Sequence, residues 1–397
     1  MSGTVTTEHI EQLPELPMER KCPYHPPAGY RDLRERGAVT RASLYDGTPV
    51  WVVSGYSAVR TILASPHTTV DVRHPNMPIP VPGMASLRQS GSPTIEALLR
   101  TDPPEHSRQR RAVLSSLTYK KISALEPEIT RRTDVYLDRM LATSPPVDLL
   151  DVFAKPLVAE ILGRLLGVPE ADIEHFQTLT YKRFNPIRSM TGYLIHLLTD
   201  GRDELREGQL RELAGRVAEG ELSTEEAASL GLALVLAGQD ITVNTLGLSV
   251  LTLLDEGTQL DLLRAEPERW PDAVEELLRY LSLTGGTVRV ATADLEVDGQ
   301  LIRAGEGMVL LIPAANRDAD RFERPDELDV RRSSRGHLTF GFGIHQCIGQ
   351  HLGRLELTIA LRALFERIPG LRLAVPVEQV PVKQGVVFGL GRLPVRW

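Results

Sequence analysis

Hydrophobic and polar positions divide the chain into a long helical middle flanked by short alternating segments. Most of residues 105–281 show helical spacing. The clearest predicted helix runs from Ser223 to about Glu256: Ser223 and Glu226 make an S-x-x-E capping box, and Gly257 is a stop signal. A rod of about 34 residues would be about 50 Å long. Leu230, Leu232, Leu234, Val235 and Leu236 leave it no polar face, so it is expected to cross the core. Gly238, Gln239, Asp240, Thr242, Asn244 and Thr245 sit at its middle, where buried polar groups need a purpose. Ile348, Leu352, Leu355 and Ile359 predict a second helix over 348–366. Tyr56 to Leu63 also reads as helix. Alternation over Pro49–Val53 and over 286–312, with turns at Asp298-Gly299 and Ala304-Gly305, predicts a small sheet. Residues 72–100, rich in Pro, Gly and Ser, predict a long loop of the kind that forms lids or binding walls. The expected class is mainly α with minor β.

Composition narrows the function. Of 397 residues, 42% are apolar and 24% charged, ordinary for a globular protein. A net charge of −7 offers no general attraction to nucleic acid or to an anionic membrane. The two cysteines, Cys22 and Cys347, cannot build a disulfide framework or an iron–sulfur site, which suits a reducing cytoplasm. No apolar run follows a basic start, so no signal peptide is expected. The apolar stretches are short for a bilayer span. With no repeat and no linker composition, we expect a mobile segment over 1–20 and a single domain over 21–397, most simply a monomer.

One short segment carries the chemistry: Phe340-Gly341-Phe342-Gly343-Ile344-His345-Gln346-Cys347-Ile348-Gly349. Its glycines permit a tight loop before the cysteine. The cysteine falls just before a predicted helix start, whose free N–H groups favour a thiolate. Such a thiolate suits an axial haem ligand; a buried structural cysteine beside a glycine turn is the plain alternative.

The wider pattern chooses between them. F-G-x-G-x-H-x-C-x-G followed by Arg354 resembles the haem-binding signature of the cytochromes P-450. That family carries E-x-x-R upstream. The motif occurs four times here, from Glu105, Glu128, Glu266 and Glu276, and only Glu276 with Arg279 lies where the family places it. Arg332 matches the third member of the family's Glu–Arg–Arg network, and Ala315-Asn316-Arg317-Asp318 its N-R-D element. His106 and Arg110, with Arg289 and His345, occupy the positions that hold the haem propionates. The resemblance runs from about residue 20 to the C-terminus and is closest to soluble bacterial members. It implies the family's triangular prism of helices around haem b. Cys347 becomes the iron ligand, and Gly238, Phe340, Gly341 and Gly349 cofactor neighbours.

The central helix departs from the family's A-G-x-(D/E)-T, whose acid and threonine guide protons to bound dioxygen. Here Ala237-Gly238-Gln239-Asp240-Ile241-Thr242 puts Ile241 at the threonine position. Ile241 has no hydrogen-bonding group, and Thr242 is about 100° further round the helix. Asp240, Ile241 and Thr242 are therefore the catalytic candidates. One reading is hydroxylation of a terpenoid or polyketide, with protons from Asp240, water or substrate. A second is oxidative coupling of an indole or peptide-derived substrate such as a tryptophan-containing cyclic dipeptide. Unusual oxidants and a haem sensor without turnover also remain open. The pocket is expected to include Met84, Ala85, Leu87, Ala233, Ala237, Ile241, Thr284, Val288 and Phe388, with Gln239 and Thr284 as hydrogen-bonding groups. Electrons would come from NAD(P)H through a separate ferredoxin and ferredoxin reductase, steered by a basic patch of Arg108, Arg111, Arg335 and Arg354.

Overall fold

The structure is a computed structural model that describes residues 13–16, 18–80, 97–181, 186–385 and 387–397. The predicted central helix spans Thr224–Asp255, with the Ser223–Glu226 capping box formed in both directions. Its end differs from expectation. Glu256 breaks the helix in a non-helical conformation, and Gly257 opens the next helix, Gly257–Ala265. The central helix is long and apolar enough to cross a membrane, but 67% of its most apolar window is buried inside the protein. It packs against the helices Lys155–Leu166, Pro186–Leu198, Gln209–Ala218 and Gln350–Arg367. Small residues make the close approaches: a Cβ on Gly238 would stand 2.9 Å from Leu162 Cδ2.

The minor β component is a six-stranded sheet in the order Glu15–Leu16, Val39–Leu44, Pro49–Val53, Gly307–Leu310, Thr287–Ala291, Thr68–Thr69. Alternation sets its two faces. Trp51, Val53, Met308 and Leu310 pack on one side, and Val50, Val52, Val309 and Leu311 on the other. Within 286–312, only the outer segments join this sheet. Leu295–Val297 and Gln300–Ile302 form a separate hairpin, turned by Asp298 and Gly299 at positive φ.

Two expectations need correction. The segment 1–20 was expected to be mobile. Residues 1–12 and 17 lie outside the described residues, but Glu15–Leu16 pairs in register with Ser43–Leu44. Leu16 and Arg20 are buried, so residues 15–16 and 18–20 are built into the fold. The second predicted helix starts later, at Gln350, because Cys347 N–H is held by Phe340 O at 2.8 Å and the chain remains a loop through Gly349.

Candidate functional site

The cysteine loop is built from behind. Glu276 and Arg279, one turn apart on the helix Trp270–Leu281, form a fully buried ion pair with two hydrogen bonds of 2.7 and 2.8 Å. Arg279 also donates to the carbonyls of Asn316, Pro325 and Glu327. Arg332 Nε reaches Glu276 Oε1 at 3.1 Å, Asp329 N–H donates to the same oxygen, and the Ser334 hydroxyl donates to Oε2. The carboxylate thus has every lone pair engaged, as a buried charge requires. Asn316 continues the scaffold. Its amide donates to Ser282 Oγ and Thr339 Oγ1, and its oxygen accepts from Leu338 N–H at 2.7 Å. The segment leading to Phe340 is therefore pinned to the same network.

Beyond it, Gly341 and Gly343 take φ of 69° and 74°, and a side chain at Gly343 would also collide with the Leu63 carbonyl. Phe340 is covered by the Arg354 guanidinium 4.4 Å from its ring centre. Cys347 Sγ receives the Gly349 N–H. Burial pushes the thiol up, while that N–H, Arg110 and Arg354 pull it down. Nothing lies within 4 Å of where a Gly349 Cβ would stand, so the space beside the sulfur is open.

Four positive or proton-bearing side chains meet next to this loop. His106 and His345 have ring centres 4.1 Å apart. Arg110 donates to Gln346 O at 2.9 Å, and Arg289, among the described residues, bonds only Thr287 Oγ1 and Val288 O. His106 Nε2 is buried without a protein partner. Burial lowers Arg289 to about 10. Burial, then His106, Arg289 and Arg110, press His345 down to about 3. Asp102, the nearby carboxylate, is engaged by the Thr69 hydroxyl and Val70 N–H and pairs with none of the four. Among the described residues the cluster therefore carries excess positive charge and an unmet donor. The two propionates of haem are the complement this donor set requires, and a thiolate with N–H support is the complement of its iron.

The central helix supplies the other wall. Amid buried neighbours, Leu236, Ala237 and Asp240 are exposed, while Ile241 is half-buried. This stretch borders open space. Its polar residues divide. Asp240 Oδ1 accepts from Lys383 Nζ at 2.7 Å and Asn244 Nδ2 at 2.9 Å. Gln239 turns away and donates to Thr180 O.

Thr242 donates its hydroxyl to Gly238 O at 2.6 Å. A side chain on Gly238 would meet Leu162, so this position also serves close helix packing.

A cavity of about 480 Å³ opens beside the cluster, walled by Tyr30, Val288, Arg289, Gln384, Gly385 and Phe388 among others. Val288 and Phe388, two of the residues named for the pocket, line it. Ala233, Ala237, Ile241 and Thr284 are not in its wall, Thr284 being bridged to Val387. Met84, Ala85 and Leu87 lie outside the described residues. Leu236, Arg20 and Lys383 were not anticipated. The first breaks no pattern in the sequence, and the contacts that bring the other two to the site are with residues distant in the sequence.

The Cytochrome P450 family profile matches residues 271–382. Over its whole length the chain is 43% identical to the entire Vitamin D3 dihydroxylase of Streptomyces griseolus. The chain belongs to the cytochrome P450 family. It is also 43% identical to pentalenic acid synthase of Streptomyces avermitilis, over 96% of this chain and 97% of that one. The crystal structure of cytochrome P450 MoxA (CYP105) from Nonomuraea recticatena superposes with a TM-score of 0.91 at 39% identity, covering 96% of this chain and 98% of that one. The mainly helical P450 fold with minor β is thereby established. So is a cysteine-ligated haem fed by redox partners, in an oxidoreductase enzyme. The haem-sensor reading falls away.

The basic patch is revised. Arg108 is paired with Glu105 and Glu226, and Arg354 with Glu275. Arg111 is exposed with no acidic partner among the described residues, and Arg335 is 3.8 Å from Asp272. Arg60, exposed over the Phe342 ring at 4.3 Å, joins them.

The helix after the cysteine holds one costly group. Glu356 is 2% exposed, its Oε1 has no protein partner, and burial raises it to about 8. An acid raised in the folded state penalises folding as pH climbs from the unfolded value near 4.5 to 8, and not below. Glu356→Gln is expected to leave the melting temperature unchanged near the lower end of that window. At the upper end it is expected to raise it by several degrees. Thermal melts across the window check this; a gap that does not widen with pH contradicts it.

Proposed function

We propose that this chain is a monooxygenase of bacterial secondary metabolism that hydroxylates an apolar small molecule, with Cys347 as the thiolate that would hold the iron of haem b. Bound haem supplies reductive activation of dioxygen, the chemistry that its thiolate ligand and its electron partners make available. His106, Arg110, Arg289 and His345 bind and orient its propionates. Val288 and Phe388 exclude water and hold the substrate by shape. Asp240 carries protons from solvent toward the open stretch of the central helix, and Ile241 narrows that stretch without donating a hydrogen bond. The observation that carries this reading is the placement of Asp240: half exposed, on the same open stretch as Leu236 and Ala237.

Electrons reach the haem from NAD(P)H through a ferredoxin and its reductase in the cytoplasm. The acidic ferredoxin approaches Arg60, Arg111 and Arg335, whose exposed positive charge steers it.

A relative named for dihydroxylation favours oxygen insertion over ring joining, so the coupling expectation yields to hydroxylation. Turnover of a panel of terpenoids and polyketides, with a surrogate ferredoxin and reductase, is expected to give a product heavier by one oxygen atom. Ile241→Thr is expected to raise the amount of that product per NAD(P)H consumed. A product lighter by two hydrogens, or a dimer, contradicts hydroxylation.

A further inference from the structure

The C-terminal hairpin, Val382–Lys383 paired with Gly389–Leu390, touches the central helix on one side and the cavity on the other. Its strands pair only with each other. A two-stranded hairpin is marginal alone, so its position depends on its anchors. Two of these lie on the central helix. Leu390 N–H donates to Asn244 Oδ1 at 3.2 Å, and Lys383 Nζ donates to Asp240 Oδ1 at 2.7 Å. Asn244 Nδ2 donates back to the same Asp240 oxygen. The tip faces the other way. Gln384, Gly385 and Phe388 line the cavity, Gln384 donates to Arg20 O, and the Arg20 guanidinium lies 4.2 Å from the Phe388 ring centre. Adjacent residues, Lys383 and Gln384, therefore serve the acid and the cavity wall respectively.

We infer that Lys383 is a positioning residue: it fixes the Asp240 carboxylate and, through the hairpin, makes that acid and the cavity wall one coupled unit. The inference rests on the proton-carrying role proposed for Asp240. The ion pair is 41% and 52% exposed, and such pairs contribute little to global stability. Its effect is on orientation. Lys383 and Asn244 both occupy Oδ1, leaving Oδ2 without a hydrogen-bond partner among the described residues and able to exchange a proton. Because coupling between sites is reciprocal, loss of the pair loosens the wall, and a ligand held by the wall tightens the hairpin.

The test uses haem-loaded protein, with phenylimidazole as an apolar probe whose binding shifts the Soret band. In wild type, the probe is expected to slow amide hydrogen exchange across residues 382–390. Lys383→Met is expected to weaken probe binding by about threefold and to speed exchange in the hairpin, with Lys383→Arg restoring both. Asp240→Ala is expected to match Lys383→Met, and the double variant to be no worse than either. Wild-type binding and exchange in Lys383→Met would overturn the inference. So would single losses that multiply in the double variant. NADPH oxidation with a surrogate ferredoxin and reductase separates the two ideas. If Asp240→Ala leaves it unchanged, the proton role fails and the inference with it. If Asp240→Ala slows it while Lys383→Met moves neither binding nor exchange, only the coupling fails.

Discussion

Replacing Cys347 with serine is expected to reduce turnover to background while leaving the fold intact. The Cys347 N–H bond to Phe340 O runs through the backbone and would survive the change, and the loop is pinned by Asn316, not by the sulfur. The propionate cluster is separate from residue 347, so haem uptake should persist at reduced affinity. A hydroxyl cannot supply the electron-rich anionic ligand on which oxygen activation depends. Activity assays on Cys347→Ser, beside a haem:protein ratio and a circular dichroism spectrum, check this. Activity near wild type would remove residue 347 from the chemistry.

Arg279→Ala is expected to have the largest effect on folding. It takes from Glu276, fully buried, both of its bonds to Arg279, leaving Arg332, Asp329 N–H and Ser334 to hold the carboxylate, and releases the carbonyls of Asn316, Pro325 and Glu327 together. Breaking a buried pair from one side costs about 3–5 kcal/mol, a large part of a typical folding free energy of about 5–15 kcal/mol. The loss falls on the scaffold of the cysteine loop, so soluble yield and haem content should drop together. Arg279→Lys keeps the charge but not the planar fork, and should rescue only in part. Soluble yield, denaturant midpoint and haem content measure this. A variant with wild-type midpoint and full haem would contradict the proposed role of the network.

The sequence disclosed what depends on local spacing or on several residues at once. The capping box at Ser223, the apolar run behind it and the alternation at Pro49–Val53 each report one element's surroundings, and each formed as expected. The haem cluster was legible because His106 and Arg110 share a helix turn while Arg289, His345 and Cys347 fall in fixed relation to a whole-chain pattern. Thr242 was harder. Its spacing showed that it points away from the threonine position, but not that its hydroxyl is spent on Gly238 O. The close packing of Gly238 on Leu162 was not legible, because the two residues are far apart in the sequence. Lys383 was invisible: it lies 143 positions from Asp240 and meets it only through the hairpin. Arg354 looked free because its partner, Glu275, is remote in sequence, as is one of the two partners of Arg108, Glu226.

The most direct test is an optical one on wild-type protein loaded with haem, reduced and exposed to carbon monoxide. A thiolate trans to carbon monoxide moves the Soret band far to the red of its position with a neutral ligand. The expected result is that red-shifted band in wild type and its disappearance in Cys347→Ser. A folded, haem-loaded wild type that shows only the unshifted band, or a serine variant that keeps the shifted one, would contradict ligation by Cys347.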